Sequence, residues 1–327
     1  MKAESTLAAA GAADAGHIPA VHRTTFWKYI WRKKMLYLMF LPGLTVLIIN
    51  NYIPMFGVII AFKRINYNDG IFGSPWVGFQ NFEYLFKSHH AWVITRNTLL
   101  YNGLFILLTL VAGVAIAILL NEVRHKFMGR FYQSAVFLPY FLSMVVISYI
   151  VLGFLSMDTG FVNKSILEPL GIQPINWYAE PYYWAFILPI VNTWKYAGYS
   201  SVIYLAAIVG FDPEYYEAAK LDGATKRQQI RHLTIPLLYP IMIITTLLAI
   251  GRIFYADFGL FYQVPLQAGL LLPATDVIDT YVYRTFQLSN EAGMPTAAGL
   301  YQGAVGFVLV LVTNLIVRRR SKENALF

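Results

Sequence analysis

The sequence predicts an all-α polytopic membrane protein with six transmembrane helices. Three observations carry this. Of the 327 residues, 57% are hydrophobic and only 13% charged, with a mean hydropathy of +0.53. A soluble domain carries about 25% charged residues, so lipid must cover part of this surface. Apolar runs near or above the roughly 20 residues that a bilayer core requires recur six times. The alternating pattern of membrane barrel strands is absent.

The elements follow in order. Residues 1–25 are Ala/Gly-rich, contain Glu4 and Asp14, and lack the continuous apolar core of a secretory signal. They read as a disordered cytoplasmic tail. In residues 26–34, Trp27, Ile30 and Trp31 share one helical face, with Lys28, Arg32, Lys33 and Lys34 around them. That suits an amphipathic helix lying in the headgroup region, the alternative being a plain charged flank of the first span. The spans are expected at 35–62, 96–121, 131–157, 183–210, 233–262 and 297–317, so residues 35–317 form one membrane domain. Asn50, Asn51 and Pro54 suggest a kink or tilt in the first span. Pro139, Pro189, Pro236 and Pro240 fall in later ones. Residues 318–327 form a basic cytoplasmic C-terminus.

Lys and Arg set the orientation. Six lie in the N-terminal tail, three at Arg124–Arg130, four at Lys220–Arg231 and four from Arg318 onward, against six in the opposite connections. The bias of seventeen to six puts both termini and the 211–232 loop in the cytoplasm. The net charge of +8 is thereby explained by span ends and not by a nucleic-acid-binding stripe. No cysteine is present, which excludes disulfides and thiolate metal sites. His89 and His90 lack partners at metal-ligand spacing. Asp276 and Asp279, at i, i+3, fit helix capping better than cation binding. Asn163-Lys164-Ser165 matches a glycosylation sequon. No nucleophile–base constellation appears, which disfavours an enzyme.

The 211–232 loop carries the sharpest local pattern. Asp212 can cap a helix with Pro213 at its first position, ending near Leu221. Gly223 allows a reversal, and Thr225 can cap a second helix. The first arm is acidic (Glu214, Glu217, Asp222) and the second basic (Lys226, Arg227, Arg231). Such a charged helix–turn–helix is either a solvated connection or a docking element. Glu217-Ala218-Ala219 is followed three residues later by Gly223, and nine residues further by Leu233-Thr234-Ile235-Pro236.

This spacing resembles the Glu-Ala-Ala signature of permeases in ATP-binding-cassette importers. Leu233 and Ile235 depart from its Ile and Leu but stay apolar. The segments at 139–156, 250–265, 276–284 and 297–314, with the terminal ENALF, are similar to oligo- and polysaccharide permeases, alginate importers among them. The resemblance implies the type I importer fold and a coupling helix in which Glu217, Ala218, Ala219, Asp222, Gly223 and Pro236 serve the contact with an ATPase. It implies a second, different permease subunit, two cytoplasmic ATPase subunits carrying ATP and Mg, and a periplasmic solute-binding protein. This chain has no phosphate-binding loop of its own. The implied protein is a multi-pass inner-membrane subunit without cofactor or enzymatic activity. Its cargo would be an oligo- or polysaccharide, an acidic one such as alginate. A secondary transporter or channel for a small solute is the competing reading, and it would need no such loop.

Charges inside spans are costly and therefore candidates for the pathway. Lys195 lies near the middle of span four beside Trp194 and Tyr196, and Arg252 and Asp257 lie in span five. A cation with aromatic neighbours suits a sugar carboxylate and a pyranose face, whereas pairing within the bundle is the structural alternative. Tyr140, Tyr149, Trp194, Tyr199 and Tyr255 are the aromatic pathway candidates.

Overall fold

The computed structural model describes residues 31, 33–87, 89–289 and 291–320. The 1–25 tail, residues 26–30 and 32 of the expected amphipathic helix, and residues 321–327 lie outside the described residues. Among the described residues there is no strand, only one bridge between Lys63 and Trp76. The chain divides into two units, Met1–Phe56 and Gly57–Phe327.

In the first unit, α1 (Lys34–Leu47) runs into a π-helical turn, Ile48–Tyr52, and then Ile53–Met55. Pro54 has no N–H to return to the turn before it, which accords with the widened turn just ahead of it. Asn50 and Asn51 donate to the carbonyls of Val46 and Leu47 at 3.0 and 3.3 Å. Both amides thus spend a donor on their own helix, which lowers the cost of facing lipid.

The second unit contains α2 (Gln80–Lys87), α3 (His89–Asn121), α4 (Lys126–Phe141), α5 (Met144–Leu155) and α6 (Pro181–Val209). It continues with α7 (Pro213–Leu221), α8 (Lys226–Gln229), α9 (Ile235–Ile250), α10 (Phe258–Gln263), α11 (Ile278–Ser289) and α12 (Gly293–Arg320). Four stretches are long and apolar enough to cross a membrane: Lys34–Phe62, His90–Asn121, Lys226–Ile250 and Gly293–Arg319. The α4–α5 pair would make a fifth if counted as one span.

The fourth expected span, α6, is 29 residues long but too polar to join that set. Its position explains why. It packs along α3 and against α4, and buries Asn192, Lys195 and Ser201 together with Trp184, Leu188 and Tyr204. A helix enclosed by other helices can carry polar groups that a lipid-facing helix cannot. Small residues permit the close packing. A Cβ on Gly113 would lie 2.9 Å from the Ser200 Cβ, and one on Gly198 only 2.0 Å from the Val136 carbonyl oxygen. At Gly198, α6 and α4 therefore touch backbone to backbone.

Two expected spans are not continuous. The stretch 131–157 breaks after Phe141 and turns by 101° into α5, whose first turn is capped by the Ser143 hydroxyl accepting from the Val146 N–H at 3.3 Å. The Lys195 ammonium donates to the Tyr140 and Leu142 carbonyls at 3.2 and 2.5 Å. These are carbonyls that a helix end leaves without intrahelical partners, and a cation there also opposes the helix dipole.

The stretch 233–262 is helical only to Ile250. Residues 251–257 are non-helical, and Asp257 then caps α10 by accepting from the Leu260 N–H at 3.1 Å. Three side chains satisfy the freed backbone. Asn102 of α3 donates to the carbonyls of Ile253 (2.7 Å) and Tyr255 (3.3 Å). Gln302 of α12 donates to the Phe254 carbonyl at 2.6 Å. Asp279 of α11 accepts from the Ala256 N–H at 2.9 Å. Non-helical backbone survives at membrane depth only with such partners.

The cores follow from these breaks. One cluster gathers Tyr101 and Phe105 of α3, Ile147 and Val151 of α5, Trp184 and Leu188 of α6, and Leu260 and Phe261 of α10. A second packs Ile94, Phe254, Ile278, Met294 and Ala298. A third, of Val114, Ala117, Tyr204, Ile208 and Leu238, joins α3, α6 and α9.

Candidate functional site

The non-helical segment of span five borders a cleft of about 640 Å³ between α3, α6 and α9. Its lining includes Asn102, Asn192, Tyr196, Tyr199, Arg252, Tyr255 and Asp257. The break brings Arg252, Tyr255 and Asp257 to one cavity, although continuous helix would spread them around an axis. Asp257 is already engaged: its Oδ2 accepts from the Tyr196 hydroxyl at 2.6 Å while Oδ1 caps α10. Arg252 is exposed, and among the described residues it is in no ion pair. The cleft thus offers an unspent guanidinium beside tyrosine rings.

Of the seven pathway candidates, three line this cleft: Tyr199, Arg252 and Tyr255. Tyr140 stacks on Tyr199, with ring centroids 4.6 Å apart and planes 13° from parallel, and so backs the wall. Trp194 and Tyr149 are 45% and 67% exposed and lie outside the lining. Lys195 is also outside it, 6% exposed, with its ammonium on the end of α4. Asn102 and Asn192, which the sequence reading passed over, carried a signal: each is an amide within an apolar span.

The second feature is the loop after α6. The Asp212 carboxylate accepts from the Glu214 N–H at 3.0 Å, with Pro213 opening α7. Gly223 sits at φ +78°, a conformation that favours glycine. Thr225 and Gln228 form a reciprocal capping box at the start of α8. A π-helical turn, Ile230–Thr234, leads into α9 with Pro236 in its first turn.

The two arms are held together. The Tyr216 and Thr234 hydroxyls lie 3.1 Å apart, and buried Gln229 donates to the Ala224 carbonyl at 3.0 Å. Lys226 pairs with Glu122 at the end of α3 at 3.0 Å. Glu217, Ala218 and Asp222 remain exposed. Leu221, which sequence reasoning missed, is 90% exposed. An apolar side chain between Lys220 and Asp222 on so polar a helix was the available signal.

Other candidates resolve into structural roles. Asn163 is fully buried; it donates to the Ser156, Met157 and Ile175 carbonyls and accepts from the Trp177 indole N–H at 3.0 Å. It organises the 158–182 connection. Asp276 accepts from the Thr280 hydroxyl at 2.8 Å and pairs with Arg284. Burial pushes the Asp276 carboxyl above its usual range, and Arg284 beside it works the other way. Asp279 holds the broken span, so the two carboxylates serve different partners. Among the described residues no His, Cys, Asp and Glu group could hold a metal.

Residues 109–322 match the family described as the binding-protein-dependent transport system inner membrane component. The chain belongs to that family. The permease is 33% identical over 298 residues to the polygalacturonan/rhamnogalacturonan transport system permease protein YteP of Bacillus subtilis, covering 90% of each chain. Its fold is similar to a chain in the crystal structure of a bacterial ABC transporter involved in the import of the acidic polysaccharide alginate. The TM-score is 0.81 at 34% identity, over 90% of this permease and 98% of that chain. A second structure, of a bacterial alginate ABC transporter in complex with an alginate pentasaccharide-bound periplasmic protein, gives a TM-score of 0.82 at 33% identity. It covers 91% of this permease and 99% of that chain.

Proposed function

We propose that this permease is one of two membrane subunits of an ATP-driven importer whose cargo is an acidic oligo- or polysaccharide. The observation that carries the cargo is Arg252, an exposed guanidinium in no ion pair among the described residues, in a cleft lined by Tyr196, Tyr199 and Tyr255. Guanidinium matches a carboxylate bidentately, and tyrosine rings offer flat faces and hydroxyls to a pyranose. One relative is named for polygalacturonan/rhamnogalacturonan transport and a solved one for import of the acidic polysaccharide alginate, which supports an acidic cargo here. Arg252→Gln should raise the half-saturating concentration for oligouronate uptake about tenfold, the loss of one charge-assisted contact. Uptake of an uncharged oligosaccharide of equal length, where it occurs at all, should not change. Unaltered oligouronate uptake would exclude Arg252 from recognition.

The 211–236 loop supports the energy source. It is a preformed, cross-braced helix–turn–helix presenting Glu217 and Leu221, on the cytoplasmic side in the orientation set by Lys and Arg. An acidic residue beside an apolar knob suits a groove on a partner ATPase. ATP-driven closure of two such ATPase subunits would move α7 as a rigid lever, switching the permease pair between inward- and outward-facing states. A periplasmic binding protein would deliver cargo to the outward-facing cavity. Glu217→Lys should cut cargo-stimulated ATP hydrolysis in the reconstituted complex by more than about tenfold, as one charge-assisted contact becomes a repulsion. Membrane insertion should stay normal. Unchanged coupling would remove Glu217 from the contact, and purification of the intact transporter without any ATPase would remove the importer reading.

A further inference from the structure

A separate groove of about 500 Å³ opens between α3 and the start of α6. One wall is Arg96, Leu100 and Leu104, three residues spaced by four and therefore on one stripe of α3. Pro181, Tyr182 and Ala185 of α6 form the other wall. Leu100 and Tyr182 are 65% and 71% exposed, so the groove is open to whatever surrounds the bundle.

Its polarity is graded along its length. At one end the Arg96 guanidinium is steered by Asn97, whose Oδ1 accepts from Nη2 at 2.9 Å and from Nε at 3.3 Å. Asn97 is itself buried, its amide donating to the Asp276 carbonyl at 2.9 Å and the Pro273 carbonyl at 3.2 Å. No carboxylate among the described residues pairs with Arg96. Below it the α3 stripe is apolar down to Leu104, eight residues and about 12 Å along the helix. That is most of the ~15 Å depth of one hydrocarbon leaflet.

We infer that this groove holds a single phospholipid, its phosphate on Arg96 and one acyl chain along Leu100 and Leu104. A cation at the end of a span with an apolar channel running inward copies the order of groups in a lipid. A saccharide would leave its hydroxyls unpaired against Leu100, Leu104 and Ala185, a costly fit. In the orientation proposed above, the lipid belongs to the outer leaflet. The inference does not depend on the nature of the cargo.

The test is native mass spectrometry of the whole transporter extracted with phosphatidylglycerol and phosphatidylethanolamine. Wild type should retain one more tightly bound phospholipid than either Arg96→Gln, which removes the charge, or Ala185→Trp, which fills the groove from its open side. ATP hydrolysis in the same samples reports that both variants still assemble. If assembly fails in Ala185→Trp, Arg96→Gln alone decides, since it leaves the groove's shape intact. Equal lipid retention in wild type and variant would overturn the inference. So would a photo-crosslinker at position 100 that captures the second permease subunit instead of lipid. Added inorganic phosphate should not displace the bound molecule, because half of the site grips a hydrocarbon chain; displacement would reduce the site to a simple anion site.

Discussion

Gly198→Ala should lower the heat-unfolding midpoint of the transporter markedly, although it adds a single methyl group. The new carbon would sit 2.0 Å from the Val136 carbonyl oxygen and 2.6 Å from its carbonyl carbon. Both are backbone atoms, and no side-chain rotation relieves the contact. Helices α4 and α6 would have to separate, and α6 is the helix around which α3 and α4 pack. Overpacking a core typically costs about 1–3 kcal/mol, and a clash with rigid backbone belongs at or above that upper end. Gly103→Ala is the matched control on α3, where an added Cβ meets nothing within 4 Å. It should be neutral or stabilising by up to about 1 kcal/mol through helix propensity. Heat-unfolding midpoints of the two purified complexes measure the contrast. Equal midpoints would mean that α4 and α6 are not in backbone contact.

Lys195→Met should destabilise the protein by about 3 kcal/mol, the loss of two charge-assisted bonds to half-buried carbonyls. Methionine keeps the length of the side chain and removes the donor. The Tyr140 and Leu142 carbonyls would then lose their partner at the point where α4 stops. The effect should appear as a lower unfolding midpoint in the absence of any cargo. Lys195→Arg should recover part of it by restoring the donor. If Lys195 instead met the cargo, Lys195→Met would leave the cargo-free midpoint unchanged and weaken only uptake of acidic saccharides.

These two residues also show what could be read from the sequence. The loop after α6 was legible because its chemistry is local: Asp212 caps Glu214, Thr225 caps Gln228, and Gly223 supplies the positive φ between them. Each signal lies within a few residues of the feature it creates. The breaks in spans three and five were not legible. Hydropathy averages over a window, and both broken stretches are apolar on average. What stabilises the breaks comes from afar: Lys195 reaches back 53 residues to Leu142, and Asn102 reaches 151 residues to Ile253. Pro139 and Gly251 mark the places without stating that a partner exists. The charges stood out in the sequence by their chemistry, but their neighbours in space did not. Lys195 stood out as a cation at midspan, yet its neighbour in space is a helix end. Arg252 and Asp257 were placed on one helix, whereas the break delivers both to one cleft.

The unwound stretch between Gly251 and Asp257 sets how this protein can move. Its backbone is shared among three other helices, through Asn102 on α3, Asp279 on α11 and Gln302 on α12. A free hinge bends by degrees. A strand moored at three points must surrender one set of moorings before it takes up another. A change of shape through this stretch should therefore come in discrete steps, as one set of hydrogen bonds is exchanged for another.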